Sequence, residues 1–138
     1  MSRDPRVLPE HFLKLMRPED RAALGPAGRT ASEAQRHWQR GEERKMHEEF
    51  SSWLEHHAHE LYWDHSRMDR ATSNRVGHPD FVIQRSGQVL NIEMKVQGGR
   101  LSEKQAEVHA WIERAGGRVY VCRSSAEAIK ITREFFAI

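Results

Sequence analysis

At 138 residues the chain can build one domain with a proper core, and is too short for two comfortable ones. Charged residues make up 30% and apolar residues 38%, and no apolar run exceeds about four residues, so a membrane span is excluded and a soluble domain is expected. A net charge of +2, with histidine neutral, is mildly basic and does not by itself announce nucleic acid.

The first twelve residues, MSRDPRVLPEHF, lack the apolar centre of a secretion signal. Residues 1–40 are punctuated by Pro9, Pro18 and Pro26. Short helices are expected at 11–16 and, after Thr30 or Ser32, at 33–40. This segment reads as an N-terminal helical arm packed on the domain or on a second subunit, with the domain proper at 41–138.

A patterned helix is expected over 42–61. Met46, Phe50, Trp53, Leu54, His57 and Leu61 recur at spacings that place them on one face. Stepping that face backward by three reaches Glu43. On the helix alone, this acid is a first-turn carboxylate favoured by the macrodipole. His59-Glu60 starts an HExxH pattern, but Trp63 stands where the second histidine belongs, so a zinc protease is excluded. His56, His57 and His59 could capture zinc or nickel, and no cysteine cluster completes a structural zinc site. A short strand could occupy 61–64. The stretch DHSRMDRATSNRVGH then carries Arg67, Arg70 and Arg75, which read as a solvated loop unless an anion site lies beside them.

GHPDFVIQRSGQVLNIEMK, residues 77–95, reads as a hairpin turning at Ser86-Gly87, where glycine allows positive φ. In that register Phe81 faces Ile92, and Ile83 faces Leu90, with Met94 continuing the same apolar surface. On the other face Val82 meets Asn91 and Asp80 meets Glu93, and Lys95 shares that face. Like charges directly opposite each other are destabilising, unless a cation sits between them. Hard carboxylate oxygens suit Mg²⁺ or Mn²⁺. A lysine is a poor neighbour for a structural ion, and makes sense where an anion or an attacking water must also be held.

Gly98-Gly99 ends the strand, and Ser102-Glu103-Lys104-Gln105 is a capping box that opens a helix with the stripe Val108, Ile112 and Ala115, Trp111 alongside. Gln105 has two readings: it closes the box on Ser102, or it faces the sheet and needs a partner there. A mostly apolar strand follows at 118–123, in which Cys122 reads as a buried strand residue and not a nucleophile. As the one cysteine it can form no internal disulfide, which fits a reducing compartment. Ser124 caps a last helix carrying Ile129, Phe135 and Phe136. The expected class is α/β, a small mixed sheet flanked by helices.

Pro79-Asp80, twelve residues, then Glu93-Met94-Lys95 resembles the PD-(D/E)XK nuclease signature. The glycine of Gly77-His78-Pro79-Asp80, the downstream Gly99-Arg100-Leu101-Ser102-Glu103-Lys104-Gln105 and the strand after Gly117 resemble its virus-type replication-repair (VRR-NUC) branch, over roughly residues 42–132. The resemblance implies a restriction-endonuclease-like core of αβββαβ type. It implies metal binding by Asp80 and Glu93 with the Met94 carbonyl, a water-positioning Lys95, Gln105 near that lysine, and Glu43 as the first-helix acid, with Glu42 and Glu49 as fallbacks. Arg67, Arg70, Arg75 and Arg100 would border the site as DNA-backbone contacts, although each alone reads as an ordinary surface arginine. His78 would stand across from Lys95 if pairing extends that far; a partly exposed loop histidine is the simpler reading.

The function so implied is a Mg²⁺- or Mn²⁺-dependent DNA endonuclease favouring branched or flapped DNA. It would act as a homodimer without membrane association, in the cytoplasm of a bacterial or phage-infected cell. The alternatives are a non-catalytic nucleic-acid-binding module of the same fold, and a histidine-rich metal binder using the cluster at 56–59.

Overall fold

The structure is a computed structural model, described for residues 8–66 and 76–138. Helices α1 (Glu10–Leu15) and α2 (Pro18–Ala23) precede a 3₁₀ turn at Gly25–Gly28 and the long helix α3 (Ala31–His57). Strands β1 (Tyr62–His65), β2 (Phe81–Arg85) and β3 (Gln88–Met94) follow, then α4 (Glu103–Arg114), β4 (Arg118–Cys122) and α5 (Ser125–Phe136). The chain divides into two compact units, one ending at Gly41 and the other running from Glu42 to Ile138.

Two helices expected at 33–40 and 42–61 are a single helix of 27 residues. Thr30 caps it: its Oγ1 accepts from the Glu33 N–H at 3.2 Å, and the Glu33 carboxylate accepts from the Thr30 N–H at 3.0 Å. Arg21 braces the same carboxylate at 2.6 Å. Gly41 is the residue left between the two expected helices. It lies within α3 with open space where a Cβ would be, so it costs about 1 kcal/mol relative to alanine without interrupting the hydrogen bonds. The helix stops at His57, four residues short of the expected end, because Leu61 and the residues after it turn into β1. His57, expected on the apolar face, is exposed, whereas Ala58 is buried.

The sheet order is β1-β2-β3-β4, antiparallel except for the parallel pair β3–β4. The hairpin holds the expected register, with Phe81 paired to Ile92 and Ile83 to Leu90. Both turn residues have positive φ, Ser86 at 50° and Gly87 at 79°, as a two-residue turn matching strand twist requires. Phe81, Ile83, Leu90, Ile92 and Met94 form one face of the core, closed by Phe50 and Leu54 of α3 and by Ala128 and Phe136 of α5.

The opposite face is not left to solvent. Every residue of β3 from Leu90 to Met94 is buried, including Asn91 and Glu93. The crossover helix between parallel neighbours covers one face of the sheet, and α4 is that cover for the face bearing Asn91 and Glu93. Its inward side differs from the expected stripe: Val108 and Ile112 are half-buried, Ala115 and Trp111 are exposed, and His109 is the buried residue. Trp111 instead stacks under the Arg114 guanidinium, 4.7 Å from the ring centre.

Cys122 lies fully buried at the end of β4, and burial pushes its thiol up to about 12. A thiol-specific chromogenic reagent is expected to leave the native protein unlabelled at pH 8 and to titrate one thiol per chain after unfolding. Rapid labelling of the native protein would contradict this placement.

Candidate active site

Asp80 enters the site from a loop fixed at several points. Gly77 packs against the first turn of α4, Pro79 is buried, and His78 Nδ1 donates to the Pro79 carbonyl at 2.8 Å with Ser66 Oγ 3.2 Å away. The half-buried His78 thus ties the loop to the end of β1, a link strengthened by the Ser66 N–H donating to the Asp80 carbonyl at 2.9 Å. One step beyond the β2–β3 ladder, the Asp80 carboxylate takes over the pairing: Oδ2 accepts from the Met94 N–H at 2.7 Å. The group of Met94 engaged here is therefore its N–H.

Glu93 lies two residues before Lys95 on the face beneath α4. Its side chain is almost fully buried, and Oε1 accepts from Gln105 Nε2 at 2.6 Å. The Gln105 carbonyl meanwhile accepts from the Ser102 N–H at 2.9 Å, while Ser102 Oγ accepts from the Gln105 N–H at 3.1 Å. The two readings of Gln105 are thus both satisfied by one amide. Its carbonyl closes the capping box and its NH₂ fixes the acid.

The electrostatics follow from this crowding. Burial, then the adjacent Asp80 charge, push the Glu93 carboxyl up to about 8, against the opposing influence of Lys95 and the Asp80 backbone N–H. The Glu43 charge pushes in the same direction as Asp80, which brings this first-helix acid into the electrostatic neighbourhood of Glu93. Glu49 is engaged elsewhere, accepting from Ser125 Oγ and lying 3.9 Å from Lys45 Nζ. The Lys95 backbone N–H donates to the Cys122 carbonyl at 3.0 Å. No described residue holds its ammonium in a hydrogen bond or ion pair.

Two histidines join the acids without having been singled out by sequence reasoning. His47, one turn after Glu43 on α3, places Nε2 3.4 Å from Asp80 Oδ2 and Nδ1 2.7 Å from His65 Nε2. Phe81 stacks flat on the His65 ring at 4.2 Å. His109, one turn after Gln105 on α4, places Nε2 3.8 Å from Glu93 Oε2. Burial holds the His109 imidazole below its ordinary value, against the pull of Asp80 and Glu113. Burial thus favours the neutral form of both Glu93 and His109. The available signal was the spacing: each histidine follows a singled-out residue by four, on the same helix face.

Arg123, also not anticipated, pins the exit loop after Lys95 by donating to the Val96 carbonyl at 2.8 Å and to the Gly99 carbonyl. Arg100 stands exposed just beyond. Arg67, Arg70 and Arg75 lie outside the described residues. Among the described residues, no three His, Cys, Asp or Glu side chains gather closely enough to hold a metal ion by themselves. The exposed His56, His57 and His59 form no such group.

The site is thus a mixed sheet carrying two adjoining carboxylates at one end beside a lysine with no partner among the described residues, with a helix closed over the central strand. The chain belongs to the VRR-NUC family, whose domain model matches residues 29–126. The match begins at the capped start of α3 and includes the whole of that helix. No curated protein and no solved structure matches the chain. Family membership makes this a nuclease-type, DNA-processing domain.

Proposed function

We propose that the domain is a divalent-metal-dependent DNA endonuclease, structure-selective for branched or flapped DNA and acting in phage or bacterial replication and repair. The observation that carries this reading is the meeting of Asp80 and Glu93 at one end of the sheet beside the Lys95 ammonium, which has no partner among the described residues.

The residues present fit a hard divalent cation. Glu93 Oε2 is buried with no hydrogen-bond partner, and Asp80 and Glu93 repel when both are charged, a cost that a cation relieves. Asp80 and Glu93 would hold the ion, with the Met94 carbonyl and Glu43 as further candidates. Water and phosphate would complete the coordination, as Mg²⁺ and Mn²⁺ commonly require. Bound there, the ion would supply Lewis-acid polarisation of the phosphate and a more acidic water.

The chain's own residues do the rest. Lys95, a donor with no competing partner among the described residues, orients the attacking water and offsets charge on a phosphate oxygen. Gln105 fixes the Glu93 carboxylate, and the Met94 N–H fixes that of Asp80. Water oxygen bonds to phosphorus as it gives up a proton to solvent, the bond from phosphorus to the leaving oxygen breaks, and that oxygen takes up a proton from solvent. Arg100, together with Arg67, Arg70 and Arg75, would contact the DNA backbone.

The test is cleavage of junction, flap and linear duplex DNA with Mg²⁺ or Mn²⁺. Asp80→Asn and Glu93→Gln are expected to reduce cleavage to background, and Lys95→Ala to lower it about 10²–10³-fold. Undiminished activity in these variants overturns the reading. DNA binding by the wild type without cleavage or metal uptake would identify a non-catalytic module instead. Light scattering of the free protein tests the proposed homodimer.

A further inference from the structure

Helix α4 directs two side chains, one turn apart, at the same carboxylate. Gln105 Nε2 reaches Glu93 Oε1 at 2.6 Å, and His109 Nε2 faces Glu93 Oε2 at 3.8 Å. The first contact is anchored from behind, since the Gln105 carbonyl is held by the Ser102 N–H. The second is unfinished: His109 Nε2 and Glu93 Oε2 are both buried, and both lack a hydrogen-bond partner among the described residues.

Leaving a buried polar atom unpaired costs roughly 1–3 kcal/mol. Two such atoms facing each other are a poor solution for a histidine that merely fills space, since an aliphatic residue on the half-buried side of α4 would avoid the cost. Their separation exceeds an N–H···O bond by less than about 1 Å. It is too short for a bridging water, which needs about 2.8 Å to each partner at an open angle. Direct closure is therefore the simple way to pair both atoms.

We propose that His109 is a positioning residue of the nuclease site, the second jaw of a clamp whose first jaw is Gln105. It closes on Glu93 Oε2 when the carboxylate is drawn into its metal-holding position, so that both oxygens are fixed by α4. The inference rests on the reading of Asp80 and Glu93 as the metal-holding acids. Outer partners of this kind set ligand orientation, and their removal typically costs about 10–100-fold in metal affinity.

The experiment is Mn²⁺ titration calorimetry on the full chain, combined with electron spin-echo measurement of nitrogen coupling to bound Mn²⁺. Wild type is expected to bind, and Asp80→Asn to lose binding. His109→Leu should weaken affinity about 10–100-fold. His109→Gln, which keeps a donor, should recover most of that loss. His109→Asn is too short to reach Oε2 and should behave as His109→Leu does, which keeps the test open if the leucine variant folds poorly. Equal affinity in wild type, His109→Leu and His109→Asn overturns the clamp and leaves the nuclease reading standing. Nitrogen coupling that disappears in His109→Leu also overturns it, because His109 would then be a direct ligand. Absence of Mn²⁺ uptake by the wild type removes both the nuclease reading and the clamp.

Discussion

The metal-free protein is expected to lose stability as pH rises from 5 to 8, the reverse of what a paired carboxylate produces. Glu93 has an ordinary value of 4.5 and a folded value of about 8. Across that window the folded chain retains a proton that the unfolded chain has released, so stability is full below pH 4.5 and drains away toward pH 8. Each pH unit in that window removes up to about 1 kcal/mol, for a total on the order of a few kcal/mol from this one group. Glu93→Gln keeps the shape and cannot ionise, so its melting temperature should depend less on pH and exceed that of the wild type at pH 8. Chelator-treated protein melted at several pH values decides the matter; parallel profiles for the two proteins would refute it.

Divalent cation should reverse the slope, because it favours the ionised acid. The raised Glu93 carboxyl holds a proton toward neutral pH, and a bound cation, favouring the ionised acid, displaces it. Calorimetry in buffers of differing ionisation enthalpy should therefore register close to one proton released per metal bound by wild type at pH 7, and markedly fewer by any Glu93→Gln protein that still binds.

Much of this site was legible in the chain because it depends on local pattern. The Ser86-Gly87 turn and the alternation of apolar residues fix the hairpin register, and register alone brings Asp80 and Glu93 together at one end of the sheet. The capping box at Ser102 equally fixes where Gln105 stands on α4. What stayed hidden depends on which surfaces are covered. Asn91 and Glu93 alternate with apolar residues and look like a solvent-facing side until β4 pairs in parallel and α4 closes over them. For the same reason the apolar stripe Val108 and Ile112 gives no sign that His109 is buried. His47 lay hidden within a helix whose apolar face was defined by Phe50 and Leu54. The joining of α3 across Gly41 was missed because glycine signals a break only where the backbone needs its freedom, and here it does not.

Gly77 is where the backbone does need that freedom, and Gly77→Ala is expected to be the most damaging single-methyl change in the domain. Its φ is +89°, and an added Cβ would lie 2.5 Å from the Lys104 carbonyl oxygen and 3.0 Å from the Gln105 nitrogen. Both are backbone atoms of the first turn of α4, so no flexible side chain can move aside. Strain and contact together should cost about 2–4 kcal/mol. Gly98→Ala is the matched control, with φ of +78° but open space around the new methyl, and should cost about 1 kcal/mol from strain alone. The two variants separate further in cleavage. Gly77 holds the loop bearing Asp80 against the helix bearing Gln105 and His109, so forcing them apart misplaces one acid relative to the clamp on the other. A displacement near 1 Å is enough for about a 10²-fold loss of activity, at temperatures where both variants remain folded. Equal melting temperatures and equal cleavage rates for the two variants would show that the close approach of loop and helix is not what aligns the acids.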